Sequence, residues 1–287
     1  MKARISCLWF LLKLSLLITI CIVVVAAIGS WVGAYQDLLV NLLAAFMFVF
    51  IGTVVALIYY KMQMEELLRF FGLDASRSTI TIYVSQVLCE SGHAIGVDDQ
   101  PTTCGTPAAP FRELEAANRF RELFAYPFHS LFNSLPIGKP QISDIEIQIQ
   151  PSLLGVQKTF VPLFPFISVG GPAFNAASRF IEKDPKAQLQ SLITGGETKI
   201  KPRDMPDVKD PYCGFVERRV RSQGHVFYAV GCSSMGSAGA AYYLATQWKK
   251  LSKEYDDDTD FLVRLRFDPE DFKRCLEVLF LKREIAD

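Results

Sequence analysis

Residues 226–241, VFYAVGCSSMGSAGAA, decide how the rest of the chain is read. Val226 to Val230 are apolar without alternation, the pattern of a strand covered on both faces. From Gly231 the residues turn small, and YYLATQWKKLSKEY (242–255) then continues as a long helix. Strand, small-residue turn and helix in that order form the unit of an α/β fold with a parallel centre. Working outward, GFVERRVRSQGHVFYAVGC (214–232) holds two strands around Ser222-Gln223-Gly224, a hairpin signal. FPFISVGGPAFNAASRFIEKD (164–184) repeats the strand–turn–helix pattern. TITIYVSQVL (79–88) and DFLVRLRFD (260–268) alternate as strands, and SDIEIQIQPS (143–152) reads as a strand near a sheet edge. PFRELEAANRFRELF (110–124) is helical, with Pro110 suited to the first turn. PEDFKRCLEVLFLK (269–282) reads as a closing helix on the same argument. Residues 89–107 read as a loop or loose hairpin, and 195–213 as loop. The expectation is a three-layer, Rossmann-like α/β domain over residues 73–287 with a mixed, mainly parallel sheet.

Two turns of this domain carry the ligand-binding expectation. In such folds ligands bind at the carboxyl ends of the strands, where glycines let a ligand approach the backbone. The first turn offers Gly170, Gly171 and Asn175; the second offers Gly231, Ser233, Ser234, Gly236, Ser237 and Gly239. Free N–H groups at a helix start, with added hydroxyls, suit a phosphate or carboxylate. The competing reading is close helix–sheet packing for the glycines and a local cap for Asn175. The second turn is not a P-loop, because no Gly-Lys-Ser/Thr follows.

The front end of the chain differs in kind. Leu14–Ala34 and Leu38–Tyr60 are runs of 21 and 23 residues without a charge. Each is long enough to span a bilayer as a helix. Residues 1–61 are therefore expected to form a transmembrane hairpin, and 62–72 an amphipathic stalk ending at Gly72. Lys2, Arg4 and Lys13 before the first run, with Lys61 and Arg69 after the second, place both termini in the cytoplasm by the positive-inside rule. The expected location is the inner cell membrane, multi-pass, with the bilayer as one partner and a homo-oligomer as the assembly.

Across the chain 30 basic residues balance 30 acidic ones, which argues against a nucleic-acid partner. Seven cysteines without a C-x-x-C, and three scattered histidines, indicate neither a disulfide framework nor a metal site. Asp256-Asp257-Asp258 with Asp260 reads as a solvated link, and Cys232 lacks an assignable base for use as a nucleophile. No cofactor is expected.

GGPAFNAASR (170–179) and GCSSMGSAGAAYYL (231–244), behind the two apolar runs, resemble bacterial membrane-anchored sensors with a SLOG-type Rossmann-like domain. The resemblance implies recognition of a nucleotide-like phosphorylated ligand and a signalling role, including in bacterial defence. It carries no catalytic residue, because GGET (195–198) sits in a polar stretch without an apolar strand before it. The expected function is thus a membrane-anchored sensor or effector. The alternatives are a nucleotide- or nucleoside-processing hydrolase, for which Glu197 and Glu217 are the candidate carboxylates, and a structural scaffold without ligand.

Overall fold

The computed structural model describes positions 16, 19, 20, 23, 24 and 27, and then residues 36–73, 79–85, 87–90, 93–95, 106–108, 110–125, 146–151, 160–194, 197–203 and 206–281. The chain divides into two compact units, Met1–Glu66 with Pro127–Asp144, and Leu67–Tyr126 with Ile145–Asp287.

In the first unit the described part is helical. Helix α1 runs as one 35-residue element, Gln36–Phe70, whose last turn belongs to the second unit. Phe48, Val49, Val55 and Tyr59 on it are exposed. Among the described residues, no helix is long and apolar enough to cross a membrane. This overturns the expected transmembrane hairpin and the multi-pass, inner-membrane location. The second uncharged run is the middle of α1, which also carries Asp37, Lys61, Glu65, Glu66 and Arg69 and ends inside a protein core. Most of the first run lies outside the described residues.

The second unit is built on a seven-stranded sheet. Its strands are β1 (Thr79–Val84), β5 (Glu146–Pro151), β6 (Phe166–Val169), β9 (Cys213–Arg219), β10 (Val226–Gly231), β11 (Phe261–Phe267) and β12 (Cys275–Leu281). They lie in the order β12-β11-β9-β10-β6-β1-β5. The ladders β1–β5, β1–β6 and β6–β10 are parallel; β9–β10, β9–β11 and β11–β12 are antiparallel. The sheet is mixed in equal parts rather than mainly parallel, because the 214–232 hairpin inserts β9 against the parallel run. Small sheets β2–β4 (Val87–Glu90, His93–Ile95, Thr106–Ala108) and β7–β8 (Leu189–Thr194, Glu197–Pro202) complete the strands among the described residues.

Residues 269–282 do not form the expected helix. Cys275–Leu281 is the edge strand β12, paired along β11. Its apolar run CLEVLFL suits a strand or a buried helix equally, and pairing decided it.

Two successive residues of β10 show how the layers divide, since neighbours on a strand face opposite sides. Phe227 packs 5.3 Å from Phe70 and 5.0 Å from Phe71, at the end of α1. On that side lie α2 (Phe111–Ala125), through Phe120 and Phe124, and α4 (Ser234–Glu254), through Trp248. Tyr228 turns the other way and donates its hydroxyl to Glu182 on α3 (Ala176–Glu182) at 2.6 Å. That second core joins Tyr228 to Phe166, Ile181, Leu189, Ile200 and Phe215.

The end of α1 is fixed by chemistry as well as packing. Gly72 has φ +68°, and a Cβ there would lie 2.5 Å from the His225 backbone nitrogen. His225 Nδ1 lies 3.0 Å from the Phe70 carbonyl, and burial lowers the imidazole pKa. Arg218, fully buried, stacks 5.3 Å from the Phe70 ring and 4.7 Å from that of Phe261. Its guanidinium donates to the Thr259 and Asp256 carbonyls. The acidic stretch 256–260 therefore works partly through its backbone, and Asp260 accepts the Val220 N–H at 2.6 Å.

Candidate functional site

The chain leaves β1 through α2 to reach β5 on one side, and leaves β6 through α3 to reach β10 on the other. The two helices lie on opposite faces, so the crossovers diverge at the carboxyl ends of β1 and β6. That is the topological switch point, where open α/β sheets hold their ligands.

The turn at this point is held from several directions. Gly170, at φ +100°, donates its N–H to Ala229 on β10 at 2.9 Å. Its carbonyl accepts from the Ser178 hydroxyl at 2.6 Å, and Ser178 also meets the Ser168 hydroxyl at 2.8 Å. Arg179 Nε donates to the Pro172 carbonyl at 3.2 Å. Gly171, Pro172, Ala173 and Phe174 form the half-exposed lip. A Cβ on Gly171 would meet nothing within 4 Å, so open space stands before this residue.

Asn175 belongs to the frame rather than the opening. It is fully buried. Its Oδ1 accepts the N–H groups of Ala177 and Ser178, capping α3. Its Nδ2 donates to Tyr83 on β1 at 3.2 Å and Val169 on β6 at 2.8 Å. Two donors and two acceptor positions are thereby used, which leaves none for a ligand.

The second turn closes in the same way. Ser233 caps α4, accepting the Gly236 N–H at 3.2 Å and donating to the Pro211 carbonyl. Ser237 accepts the Gly231 N–H at 2.9 Å and donates to the Ser233 carbonyl at 3.1 Å. A Cβ on Gly231 would lie 2.4 Å from the Gly236 backbone, one on Gly236 2.3 Å from the Cys213 carbonyl, and one on Gly239 2.7 Å from the Phe267 ring. These glycines let the helix press against β9, β10 and β11. Ser234 alone of the set is exposed.

One acid at the switch point was not singled out from sequence. Glu113, in the first turn of α2, is 3% exposed. Its Oε2 accepts the Ser85 N–H at 3.2 Å, just beyond the end of β1. A Cβ on Gly170 would meet the two Glu113 carboxylate oxygens at 2.9 and 3.0 Å, and the Ser85 hydroxyl at 1.9 Å. Burial pushes the Glu113 carboxyl up from its ordinary 4.5 to about 7, with only hydrogen bonds from Ser85 opposing it. In one dimension Glu113 is a helix-start acid; nothing there points to Ser85 or Gly170.

The carboxylates considered from sequence lie elsewhere. Glu217 is on β9, directly opposite Tyr228, on the α3 side of the sheet. It is fully buried, accepts the Gln188 N–H at 3.2 Å and sits 3.4 Å from Arg219. Burial pushes it up to about 7, against the pull of Arg219. The side chain of Glu197, at the start of β8, lies outside the described residues, as do Gly195 and Gly196. Burial pushes the Cys232 thiol up to about 11, opposite to the shift an activated nucleophile needs. Among the described residues no cluster of His, Cys, Asp or Glu could hold a metal ion.

No family model matches the chain, and neither a curated protein nor a solved structure gives a significant match.

Proposed function

We propose that the α/β unit is a binding module for a nucleotide-like phosphorylated ligand, seated at the Gly170–Gly171 turn. One observation carries the reading: open space before Gly171 coincides with the point where the crossovers from β1 and β6 diverge. The second turn contributes less than its composition suggested, since its glycines and two of its serines are engaged in packing and capping. The output element is the end of α1, because Phe227 on β10, next to β6, packs against Phe70 and Phe71. A processing enzyme is the second reading, favoured by Glu113 at the switch point.

The test uses the full chain. Its thermal midpoint is recorded against mono-, di- and cyclic nucleotides, with the same mixtures assayed for turnover. A ligand at about a hundred times its Kd contributes about 2.7 kcal/mol. That raises the midpoint of a protein this size by about 5–10 °C. Gly171→Val sets its Cβ in open space and should retain the parent midpoint while losing the response. No response from any nucleotide, or an equal response in Gly171→Val, overturns the reading.

A further inference from the structure

We propose that an anion binds at the Gly170–Gly171 turn only together with a proton carried by Glu113. The inference rests on the reading above that an anionic ligand occupies this turn. It makes the crevice a proton-linked site, open to its ligand in mildly acidic conditions and weakened in alkaline ones.

The geometry places the carboxyl directly behind the turn. Both Glu113 oxygens lie within 3.0 Å of the position a Gly170 Cβ would take. Ser85 and Gly170 touch the carboxyl, while the charged and titratable groups of α2, α3 and α4 named below are exposed or engaged with other residues. From the end of β1 come the Ser85 N–H and hydroxyl, the latter 3.4 Å from the Val169 carbonyl. From β6 comes the Gly170 backbone. On α2 itself, Arg112 is exposed, Glu115 pairs with Lys273 at 2.6 Å, and Arg119 pairs with Glu122. From α4, Tyr242 receives the Arg119 guanidinium over its ring. From α3, Arg179 bonds the Pro172 carbonyl. Among the described residues no cation pairs with Glu113.

A buried carboxylate without a cation is neutralised by a proton or by a positive ligand. Its pKa of about 7 leaves the free protein in an even mixture of the two forms near neutrality. A phosphate arriving at the turn brings negative charge close to the same carboxyl across a poorly screened path. Like charges at such a separation disfavour joint ionisation, so the bound state keeps the proton. By linkage, binding then takes up a proton wherever the free carboxyl is ionised. The proton comes from solvent or buffer and ends on a Glu113 oxygen; no covalent bond to the ligand forms. Affinity is flat below about pH 6 and falls about tenfold between pH 6 and pH 8.

The experiment measures dissociation constants of cyclic mononucleotides by calorimetry at pH 6, 7 and 8. Their phosphodiester does not titrate in this range, so the pH dependence belongs to the protein. Parent and Glu113→Gln are compared as full chains. The parent should weaken about tenfold from pH 6 to pH 8, whereas Glu113→Gln should bind with one affinity throughout and exceed the parent at pH 8. Parent binding is repeated at pH 8 in two buffers of different ionisation enthalpy, with uptake of about one proton expected. This arm decides the matter even where the variant folds poorly. Binding without pH dependence, or without proton uptake, overturns the coupling and leaves the proposed function standing. No binding by any cyclic nucleotide at pH 6, together with no thermal response in the wider panel, removes both.

Discussion

Gly236→Ala sets two opposing effects against each other at one position. In an exposed helix interior, alanine is favoured over glycine by about 1 kcal/mol. On α4 the added methyl would lie 2.3 Å from the Cys213 carbonyl oxygen and 3.1 Å from the Gly231 Cα. Ordinary contact requires the helix to retreat by about 1 Å. That movement pulls on the Ser237 hydroxyl, which accepts the Gly231 N–H at 2.9 Å. Overpacking of this kind costs about 1–3 kcal/mol, and a stretched buried hydrogen bond about 1 kcal/mol more. The balance is a net loss of about 1–3 kcal/mol, which lowers the midpoint by about 3–10 °C. The assay is thermal unfolding of the full chain by circular dichroism, with Gly171→Ala as control. The control has open space before its Cβ and should stay within about 2 °C of the parent. A Gly236→Ala midpoint equal to or above the parent's would refute the packing role of this glycine.

Two further outcomes follow from buried polar groups. Asn175→Ala removes the α3 cap and leaves the Tyr83 and Val169 carbonyls without that donor; the expected loss is about 2–4 kcal/mol, and a midpoint within about 2 °C of the parent's would contradict it. Glu217 has its folded pKa raised from 4.5 to about 7, so the fold favours the protonated acid: its contribution is full below about pH 4.5, declines as pH rises towards 7, and amounts to about 3 kcal/mol. Glu217→Gln should therefore gain stability relative to the parent from pH 5 to pH 8, measured by urea unfolding, and a constant difference across that range would sink the assignment.

Strands with alternating or continuous apolar residues were legible, as β1, β5, β6, β10 and β11 show. The helix start at Pro110 was legible too, and at Asn175 the local cap was one of two readings, the one its side chain takes. The misreadings have physical causes. Proline, two acids and a phenylalanine before CLEVLFL mimic a helix start, but a free edge on β11 captured the segment. Within the stretch 195–213, read as loop, β8 forms because its polar run ETKIKP pairs with LQSLIT, which supplies what composition did not. At the site, sequence marked both glycine turns and could not tell them apart. A glycine facing open space and one jammed against a carbonyl share one letter. Glu113 required the fold itself, which brings it beside residues from two separate stretches of chain, Ser85 and Gly170.

The sheet also has a seam in time. The block from β9 to β12 is continuous in sequence, and its hairpin pairs Arg219 with Val226 across a short turn. The seam between β1 and β6 must instead bring Thr81 to Phe166 from far along the chain. Distant pairings close more slowly, because the loop's entropy is lost before contacts reward it. The antiparallel block can thus organise first, with the β1–β6 seam arriving late. Asn175, bonded to Tyr83 on one strand and Val169 on the other, is a stitch across that late seam. The crevice lies on the seam that topology makes slow to close, and a weakened stitch would open it while the antiparallel block stays closed.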